Sequence, residues 1–481
     1  MPDPYLYASE NECMKRLILL LFTFISIAAA AQDKISAYFE SIRKNEAQLT
    51  AFFAGMPKGG DLHHHFSGSA WPDYLLAKAI REDYWVELNS YTVDTETGKK
   101  GNWKRFSEVS DLNALKSAIL QQWSVKNYHP AAGSSENIFF DSFGKFDAIM
   151  DASIPEALLE LKRRAKAENL SYIETQFIRP KFPLKITGND SLNHRVRQAG
   201  LQKDTNYIFS VFDDLIHLFE AGGAADTALA FNERISAQHQ RLQLDDDSFT
   251  LRYQNFVLRF MEPVELFKHL YINFISADKS PLIVGVNIVS PEHGDVSMQD
   301  YWLHMAMYHY LHRKFPAVKY AMHAGELTSG LVAPEELTWH INEAVRFAGA
   351  SRIGHGVDMA WEKNSQSLLA YMKKQQVAVE INLSSNEFIL NVKEDRHPIT
   401  LYYKAGVPIT ISTDDAGILR TSITQQYILL AKRYSFISYK AIREMVYNSI
   451  RYSFIGDEKE KKAMIKNLDL RFADFEKTIS K

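Results

Sequence analysis

Two histidines, His63 and His65, stand one residue apart in a short strand-like segment. Because successive side chains of a strand point to opposite faces, His63 and His65 point the same way and His64 points the other way. Two imidazoles on one face can bind one divalent cation, and a cation with an open position can turn water into a nucleophile near neutral pH. A metal site still needs further ligands, because paired histidines also occur on strands that face solvent.

Three later segments could supply these ligands, because each is an apolar, strand-like run that is followed by histidine or acidic residues. The first ends in His-Ala-Gly-Glu at 323–326, the second holds His355 between two glycines, and the third ends in Asp414 and Asp415. Taken singly, each has a simpler interpretation, since a buried histidine can be a core residue and an aspartate can cap a helix. Together, the four segments place polar side chains at the C-terminal ends of predicted strands, where barrel enzymes carry their active sites.

The chain alternates strand-like runs with helical patterns, which predicts βα units and an α/β fold of the TIM (β/α)8 barrel type. Strands are predicted near residues 58–66, 170–177, 250–259, 281–289, 317–323, 351–355, 376–382 and 407–412. The long interval between the first two, about 69–169, is expected to hold extra helices over the C-terminal face of the barrel. Its aromatic residues belong mainly to the core, but Phe139, Phe140 or Phe143 would wall a pocket and stack on a base.

Composition favours one large catalytic unit. The chain has 481 residues, of which 46% are hydrophobic and 12% aromatic, and barrels of this type run from about 200 to over 400 residues. Residues 32–481 are therefore predicted to form a single barrel domain with an insertion between its first two strands. The formal net charge of -3 gives no reason to expect nucleic-acid binding, which usually leaves a basic patch.

The N-terminus has the pattern of an export signal. A basic start at Met14-Lys15-Arg16 precedes an apolar run and a string of alanines. We predict a signal peptide over residues 1–31, with the true translation start at Met14 and a periplasmic or secreted protein; a retained anchor is the alternative. The only cysteine is Cys13, so the mature chain would hold no disulfide. Residues 32–53 are predicted to form a helix that packs on the barrel or on a second subunit, which would make a homodimer.

The four polar segments resemble, in order, the four signature motifs of the adenosine deaminase family of metal-dependent amidohydrolases. These segments are 63–65, 323–326, 352–356 and 412–415, and the similarity runs from about Met56 to about Asp415. Residues 381–386 and His397-Pro398 are also similar to the family's stretch before its last strand. The chain also resembles the secreted adenosine deaminase-like branch of the family in its length, in the absence of cysteine from the predicted mature chain and in its expected export.

The resemblance implies one Zn²⁺ per chain, held by His63, His65, His323 and Asp414 with water completing the shell. Nitrogen and carboxylate ligands suit zinc, although other divalent metals occupy similar sites.

The resemblance also implies the catalytic roles. His355 would sit beside the water, orienting it and accepting or relaying its proton, and Glu326 would protonate the purine ring nitrogen during attack. Glu326 can donate near neutral pH only if burial or a nearby negative charge weakens its acidity. Asp415 would fix the ring on its imidazole side, and Gly325 would also bind the substrate.

Four positions depart from the family pattern. Ser67 stands where members of the family commonly have an aspartate that contacts the sugar 5′-hydroxyl. Asn287 stands near the position of a usual aspartate, and Ser290 stands near the position of a glycine that approaches the purine. Gln176 stands where an arginine is frequent. Ser67 and Ser290 are kept as predicted substrate-binding residues, and none of these departures touches the predicted metal shell.

These observations predict zinc-dependent hydrolytic deamination of adenosine or a closely related aminopurine nucleoside, with release of ammonia. One alternative is an amidohydrolase that acts on another aminopurine or a modified nucleoside. A second is an exported purine-binding protein whose catalysis has lapsed. The predicted partner is a small-molecule purine nucleoside, with no nucleic acid and no stable membrane partner.

Overall fold

A parallel β-barrel forms the centre of the computed structural model, which describes residues 34–96 and 100–479. Eight strands pair side by side in the order β1-β5-β6-β7-β8-β9-β10-β11. They are β1 (Gly60–His65), β5 (Tyr172–Gln176), β6 (Thr250–Leu258), β7 (Ile283–Val289), β8 (Lys319–Ala324), β9 (Arg352–His355), β10 (Ala378–Ile381) and β11 (Ile409–Ile411). All eight predicted strands are present, with ends that agree within two residues, and the predicted TIM-type barrel is confirmed.

The first and last strands close the barrel only at its C-terminal rim. A single bridge pairs His64 with Asp414. Around it, the Asp414 amide donates to the His63 carbonyl at 2.9 Å, and the His65 amide donates to the Asp414 carbonyl at 3.3 Å. The backbone that closes the barrel therefore belongs to three of the four predicted metal ligands.

Helices cover the outer face of the barrel between successive strands. From β5 onward they are Asn189–Gln202, Thr205–Ala221, Ala224–Arg241, Pro263–Lys279, Asp295–Gln299, Tyr301–Lys314, His340–Asn342, a π-helix at Glu343–Ala348, Ser365–Gln375, Leu383–Leu390, Ile399–Ala405, Ile423–Arg433, Tyr439–Arg451 and Glu458–Ile479. Short 3₁₀ turns lie at Glu336–Thr338, Val357–Ala360 and Glu394–Arg396. Pro263 begins one of these helices, a position where its missing N–H costs no hydrogen bond.

The chain between β1 and β5 is the expected long insertion with helices. They are Phe66–Ser69, Pro72–Arg81, Leu112–Gln122, Ser135–Phe143 and Asp147–Ala167, with 3₁₀ turns at Phe106–Glu108 and Pro130–Ala132. The insertion also holds a small antiparallel sheet of β2 (Trp85–Glu87), β3 (Val93–Asp94) and β4 (Trp103–Arg105), which the sequence analysis did not predict. Strands of two or three residues are too short to show an alternating pattern.

The N-terminal segment forms two helices where one was expected. Residues 34–42 are helical, and a second helix, Glu46–Gly55, begins after Asn45, whose side chain accepts from the Gln48 amide. The segment packs on the chain's own C-terminal helices, since Arg43 donates to the Ala431 carbonyl at 2.8 Å and the Phe52 ring lies 5.1 Å from that of Phe475. The predicted signal peptide lies outside the described residues. Within 34–96 and 100–479, none of the helices has the length and apolar character needed to cross a membrane.

Candidate metal centre and active site

The four predicted metal ligands converge at the C-terminal end of the barrel. β1 supplies His63 and His65, β8 supplies His323, and Asp414 follows β11. An oxygen of Asp414 lies 3.5 Å from Nε2 of His63 and 3.2 Å from Nε2 of His65, which is itself 3.2 Å from Nε2 of His323. Ring nitrogens of three histidines and a carboxylate oxygen thus face one small volume, the arrangement of a tetrahedral metal centre.

The protonation states of this cluster suit the binding of a divalent cation. Burial lowers the pKa of His65 to about 4 and also lowers that of His323, so both rings are neutral, as metal ligands must be. Burial opposes charge on His63 as well, but the nearby carboxylates of Asp414 and Glu380, 3.5 and 2.7 Å from its ring nitrogens, outweigh that effect and raise its pKa to about 10. Nε2 of His63 is nevertheless buried with no hydrogen-bond partner among the described residues. A divalent cation would satisfy this nitrogen and take over the charge, so the residues present fit a metal ion.

Buried partners orient the ligand histidines from behind. Oε2 of Glu380 lies 2.7 Å from Nδ1 of His63, and Arg352 donates to the other oxygen of Glu380 at 2.5 Å. Asn287 Oδ1 lies 3.1 Å from Nδ1 of His323. Partners of this kind fix the ring orientation and the tautomer, so that Nε2 is left to face the metal. Asn287 thus contacts a candidate ligand, and Gln176 lies 3.2 Å from Nε2 of His65, so the expectation that the departures from the family pattern leave the metal shell untouched is wrong.

A chain of hydrogen bonds assigns the tautomer of His355. The Ile399 amide donates to Nδ1 of His397, so Nε2 of His397 carries the hydrogen that it donates to Oδ1 of Asn386 at 3.0 Å. The amide nitrogen of Asn386 then donates to Nδ1 of His355 at 2.9 Å. Because burial also lowers the pKa of His355 to about 3, the ring is neutral and its hydrogen is on Nε2. That N–H lies 3.9 Å from Asp414 and faces the metal centre.

Glu326 is held beside the centre in an environment that favours its protonated form. Its backbone amide and that of Gly325 both donate to the carboxylate of Glu292, at 2.8 and 3.1 Å, and His340 lies 2.6 Å from the same carboxylate. Burial, reinforced by the charges of Asp414 and Glu292, raises the pKa of Glu326 well above its usual range. The condition set out from the sequence, an acid that keeps its proton near neutral pH, is met by this geometry.

The site carries backbone strain at three functional positions. His355, Asp414 and Ser290 are non-glycine residues with φ of +67°, +61° and +87°. Such conformations cost free energy and persist where the surrounding structure enforces them, which is common at active sites. The positive φ of Ser290 also explains why a glycine suits this position. In β9, a Cβ on Gly354 would lie 2.6 Å from the His63 ring, so the glycine permits the strand and the ring to approach closely.

A cavity of about 430 Å³ opens above the metal centre. Ser67, Ser290 and Asp415 line it, as expected for substrate-binding residues, whereas Gly325 is not among the lining residues and gives its amide to Glu292. The substrate contact expected for Gly325 stays a prediction. Five phenylalanines form an aromatic wall, three from the insertion and two from β6 and the residues after it: Phe139, Phe140, Phe143, Phe256 and Phe260.

Sequence reasoning missed several residues that support or line the site. Glu380 is a lone acid within the apolar run of β10, and such an acid is a readable sign of a buried ion pair. His397 and Asn386 were recognised only as a similar stretch, without a role. Asp147 and Arg179 line the cavity from the insertion and from the loop after β5, and no local pattern marks either of them.

Comparison with known proteins finds relatives among the deaminases. The fold and the ligand cluster define a (β/α)8-barrel protein with a candidate metal centre at the C-terminal ends of its strands. The adenosine deaminase family model matches residues 256–470. Adenosine deaminases of Escherichia coli strains SMS-3-5 / SECEC and SE11 are each 32% identical over 144 residues, which are 30% of this chain and 39% of the relative. The chain is therefore similar to the adenosine deaminase family over residues 256–470, and it spans 39% of the length of these two relatives.

Solved structures share the fold over most of the chain. The adenine deaminase of Arthrobacter aurescens is 15% identical with a TM-score of 0.53, covering 86% of this chain and 98% of its own. The N6-mAMP deaminase of arabidopsis is 17% identical with a TM-score of 0.52, covering 87% and 99%. The arabidopsis protein named ADAL, complexed with GMP, is 17% identical with a TM-score of 0.53, covering 87% and 98%. At these identities the likeness concerns the fold alone.

Proposed function

We propose that this protein is a zinc-dependent hydrolase that deaminates adenosine or a closely related aminopurine nucleoside and releases ammonia. The observation that carries the proposal is the convergence of four metal-ligand candidates with the buried carboxyl of Glu326 in one aromatic-walled cavity. The similar proteins support an aminopurine as the substrate class but do not identify one substrate, since they are named adenosine, adenine and N6-mAMP deaminases.

Each side chain of the site has a separate role in the proposed reaction. Zinc, when bound by His63, His65, His323 and Asp414, supplies a water-derived nucleophile near neutral pH. His355 donates a hydrogen bond from Nε2 to the attacking oxygen and holds it on one side of the substrate. Glu326 gives its proton to the ring nitrogen beside the carbon under attack, so that no full negative charge builds up on the ring. The carboxylate left on Glu326 then takes the protons of the attacking oxygen in turn, passing one to the amine, which leaves as ammonia, and keeping the other.

The rest of the cavity positions the purine. One oxygen of Asp415 is buried with no hydrogen-bond partner among the described residues, and burial and Asp414 raise the pKa of this carboxyl well above its usual range. Such a group can share a hydrogen bond with a purine nitrogen. The aromatic wall stacks on the base and keeps bulk water away from the floor.

A second candidate is deamination of another aminopurine or of a modified nucleoside. Ser67 lines the cavity where an acid would contact a sugar hydroxyl, and Ser290 adds a hydroxyl where a glycine would leave space. A catalytically lapsed purine-binding protein remains the alternative from another class.

The direct test is the ultraviolet absorbance change when zinc-loaded protein meets adenosine, 2′-deoxyadenosine, adenine and N6-methylated analogues, with a chelator-treated sample as control. Turnover of adenosine that chelation abolishes supports the proposal. Turnover of only the other aminopurines supports the second candidate, and binding without turnover of any supports the lapsed form.

Glu326→Gln sharpens the test because it keeps the shape and removes the transferable proton. Turnover is expected to fall by about 10²- to 10⁴-fold with metal content unchanged. Glu335→Gln is the matched control, since Glu335 is exposed in the same loop. Near-normal turnover of Glu326→Gln would remove Glu326 from its role.

A further inference from the structure

Arg179 is a charged residue in the cavity that the proposed reaction does not use. It follows β5 by three residues and lines the same cavity as the metal centre. Its guanidinium lies 5.6 Å from the centre of the Phe256 ring, and Nη1 lies 3.9 Å from Sδ of Met261. Both neighbours are apolar or nearly so, which leaves the charge without compensation on that side.

No carboxylate within 34–96 and 100–479 forms an ion pair with Arg179. The acid that most affects it is Glu265, but the oxygens of Glu265 already contact Lys268 at 2.7 Å and His269 at 2.9 Å. Buried arginines elsewhere in the barrel are paired, as Arg352 is with Glu174 and Glu380. A half-buried guanidinium that faces a cavity without an acid is therefore unusual here, since burying a charge is unfavourable unless it is paired.

The position of Arg179 suits the far end of a nucleoside-sized ligand. Gln176, at the end of β5, lies 3.2 Å from the metal-ligand candidate His65. Arg179 is three residues beyond Gln176, and three residues of chain span at most about 11 Å. Arg179 therefore lies within the length of one small ligand from the candidate metal centre. The acids Glu326, Asp414 and Asp415 line the same cavity, and within the described residues none of them forms an ion pair with Arg179.

We propose that the substrate carries a compact anionic group, a phosphate or a carboxylate, which Arg179 binds while the aminopurine lies over the metal centre. This inference rests on the proposed function and narrows its substrate class. The planar guanidinium suits either anion because it offers paired donors. Asp147, the remaining acid of the cavity, opposes an anion only weakly near pH 6, because burial and Asp151 raise its pKa to about 6.

The test compares substrates that differ only in the anion. Adenosine, AMP and adenosine 5′-carboxylate are given to zinc-loaded wild-type protein, and kcat/KM is measured for each. At least one anionic substrate is expected to exceed adenosine by about tenfold or more, and the better of the two identifies phosphate or carboxylate. In Arg179→Gln, the ratio of kcat/KM for the anionic substrate to that for adenosine is expected to fall about 10- to 100-fold. Arg179→Lys should keep part of the ratio, because the charge remains.

Arg163→Gln is the matched control, because Arg163 is an exposed arginine that pairs with Glu160 on an outer helix. A second measurement does not need catalysis: IMP and inosine are titrated calorimetrically into metal-stripped wild type and Arg179→Gln. IMP should bind wild type more tightly than inosine, and Arg179→Gln should remove the difference.

Equal preference for neutral and anionic ligands in both measurements, or an equal loss for both in Arg179→Gln, overturns the assignment of Arg179 and leaves the proposed deamination standing. If no substrate turns over, the proposed function fails, and the IMP and inosine titrations still decide whether an anion site exists.

Discussion

Replacement of Gly68 by alanine tests whether the position of Asp415 matters. A Cβ built on Gly68 would lie 1.7 Å from Oδ1 of Asp415, 2.5 Å from its Cγ and 2.8 Å from its Cβ. Because heavy atoms without a bond are stable at about 3.5 Å or more, the carboxylate must retreat by about 1.8 Å or the helix at Phe66–Ser69 must shift. Gly68 itself has no left-handed backbone conformation, so the close approach is the whole cost.

Since a misplacement of about 1 Å can cost 100-fold in rate, kcat/KM of Gly68→Ala is expected to fall by at least about 100-fold. The overpacked site should also lose about 1–3 kcal/mol of unfolding free energy. The assay is steady-state deamination by metal-loaded protein, with zinc content and a urea unfolding curve measured on the same sample.

Gly456→Ala is the matched control, because a Cβ on this exposed glycine meets nothing within 4 Å. The reasoning is refuted if Gly68→Ala is folded, holds full metal and turns over substrate like the wild type. Loss of zinc together with activity would instead place the damage at the adjacent Asp414.

Three further changes have expected outcomes. Asp414→Ala should lower both the zinc content and the Tm of zinc-treated protein, since a bound ion stabilises the folded state; full metal content by elemental analysis would mean that the ligand is misassigned. Asn386→Asp should reverse the tautomer of His355 and lower kcat by about 100-fold or more with zinc retained, and an unchanged kcat would contradict the hydrogen-bond chain. Lys58→Met should stabilise the protein most at neutral pH. Burial lowers the pKa of Lys58 to about 7, so between pH 7 and 10 the unfolded chain binds more protons and wild-type stability rises by up to about 4 kcal/mol. Urea unfolding at pH 7 and at pH 10 should show that the extra stability of Lys58→Met over the wild type is smaller at pH 10. An equal difference at both pH values would contradict the lowered pKa of Lys58.

The barrel and the ligand set were predictable because two simple regularities coincide. Apolar, β-branched runs alternate with helical stretches, and the carboxyl ends of parallel strands meet at one rim. His323 and Asp414 are far apart in sequence, yet each ends such a run, so their meeting with His63 follows from the topology. The break in the N-terminal segment was also readable, since Asn45 is a strong helix N-cap residue.

Other features depend on contacts that a local pattern does not encode. The tautomer of His355 is assigned by Asn386 and His397, which reach it only after the chain has crossed β10. The isolation of Arg179 depends on Glu265 having other partners. The strained backbone at Ser290 and Asp414 follows from how the barrel closes, because neither residue type favours a positive φ strongly enough to predict it.

The insertion between β1 and β5 supplies part of the cavity wall, whereas the barrel supplies the candidate metal centre. Barrel strands and the residues just after them carry every candidate ligand and the proton donor, while Phe139, Phe140 and Phe143 come from the inserted helices. Substitutions in the inserted helices can therefore change the wall of the cavity, and with it the molecules that fit, while the candidate metal centre on the barrel stays the same.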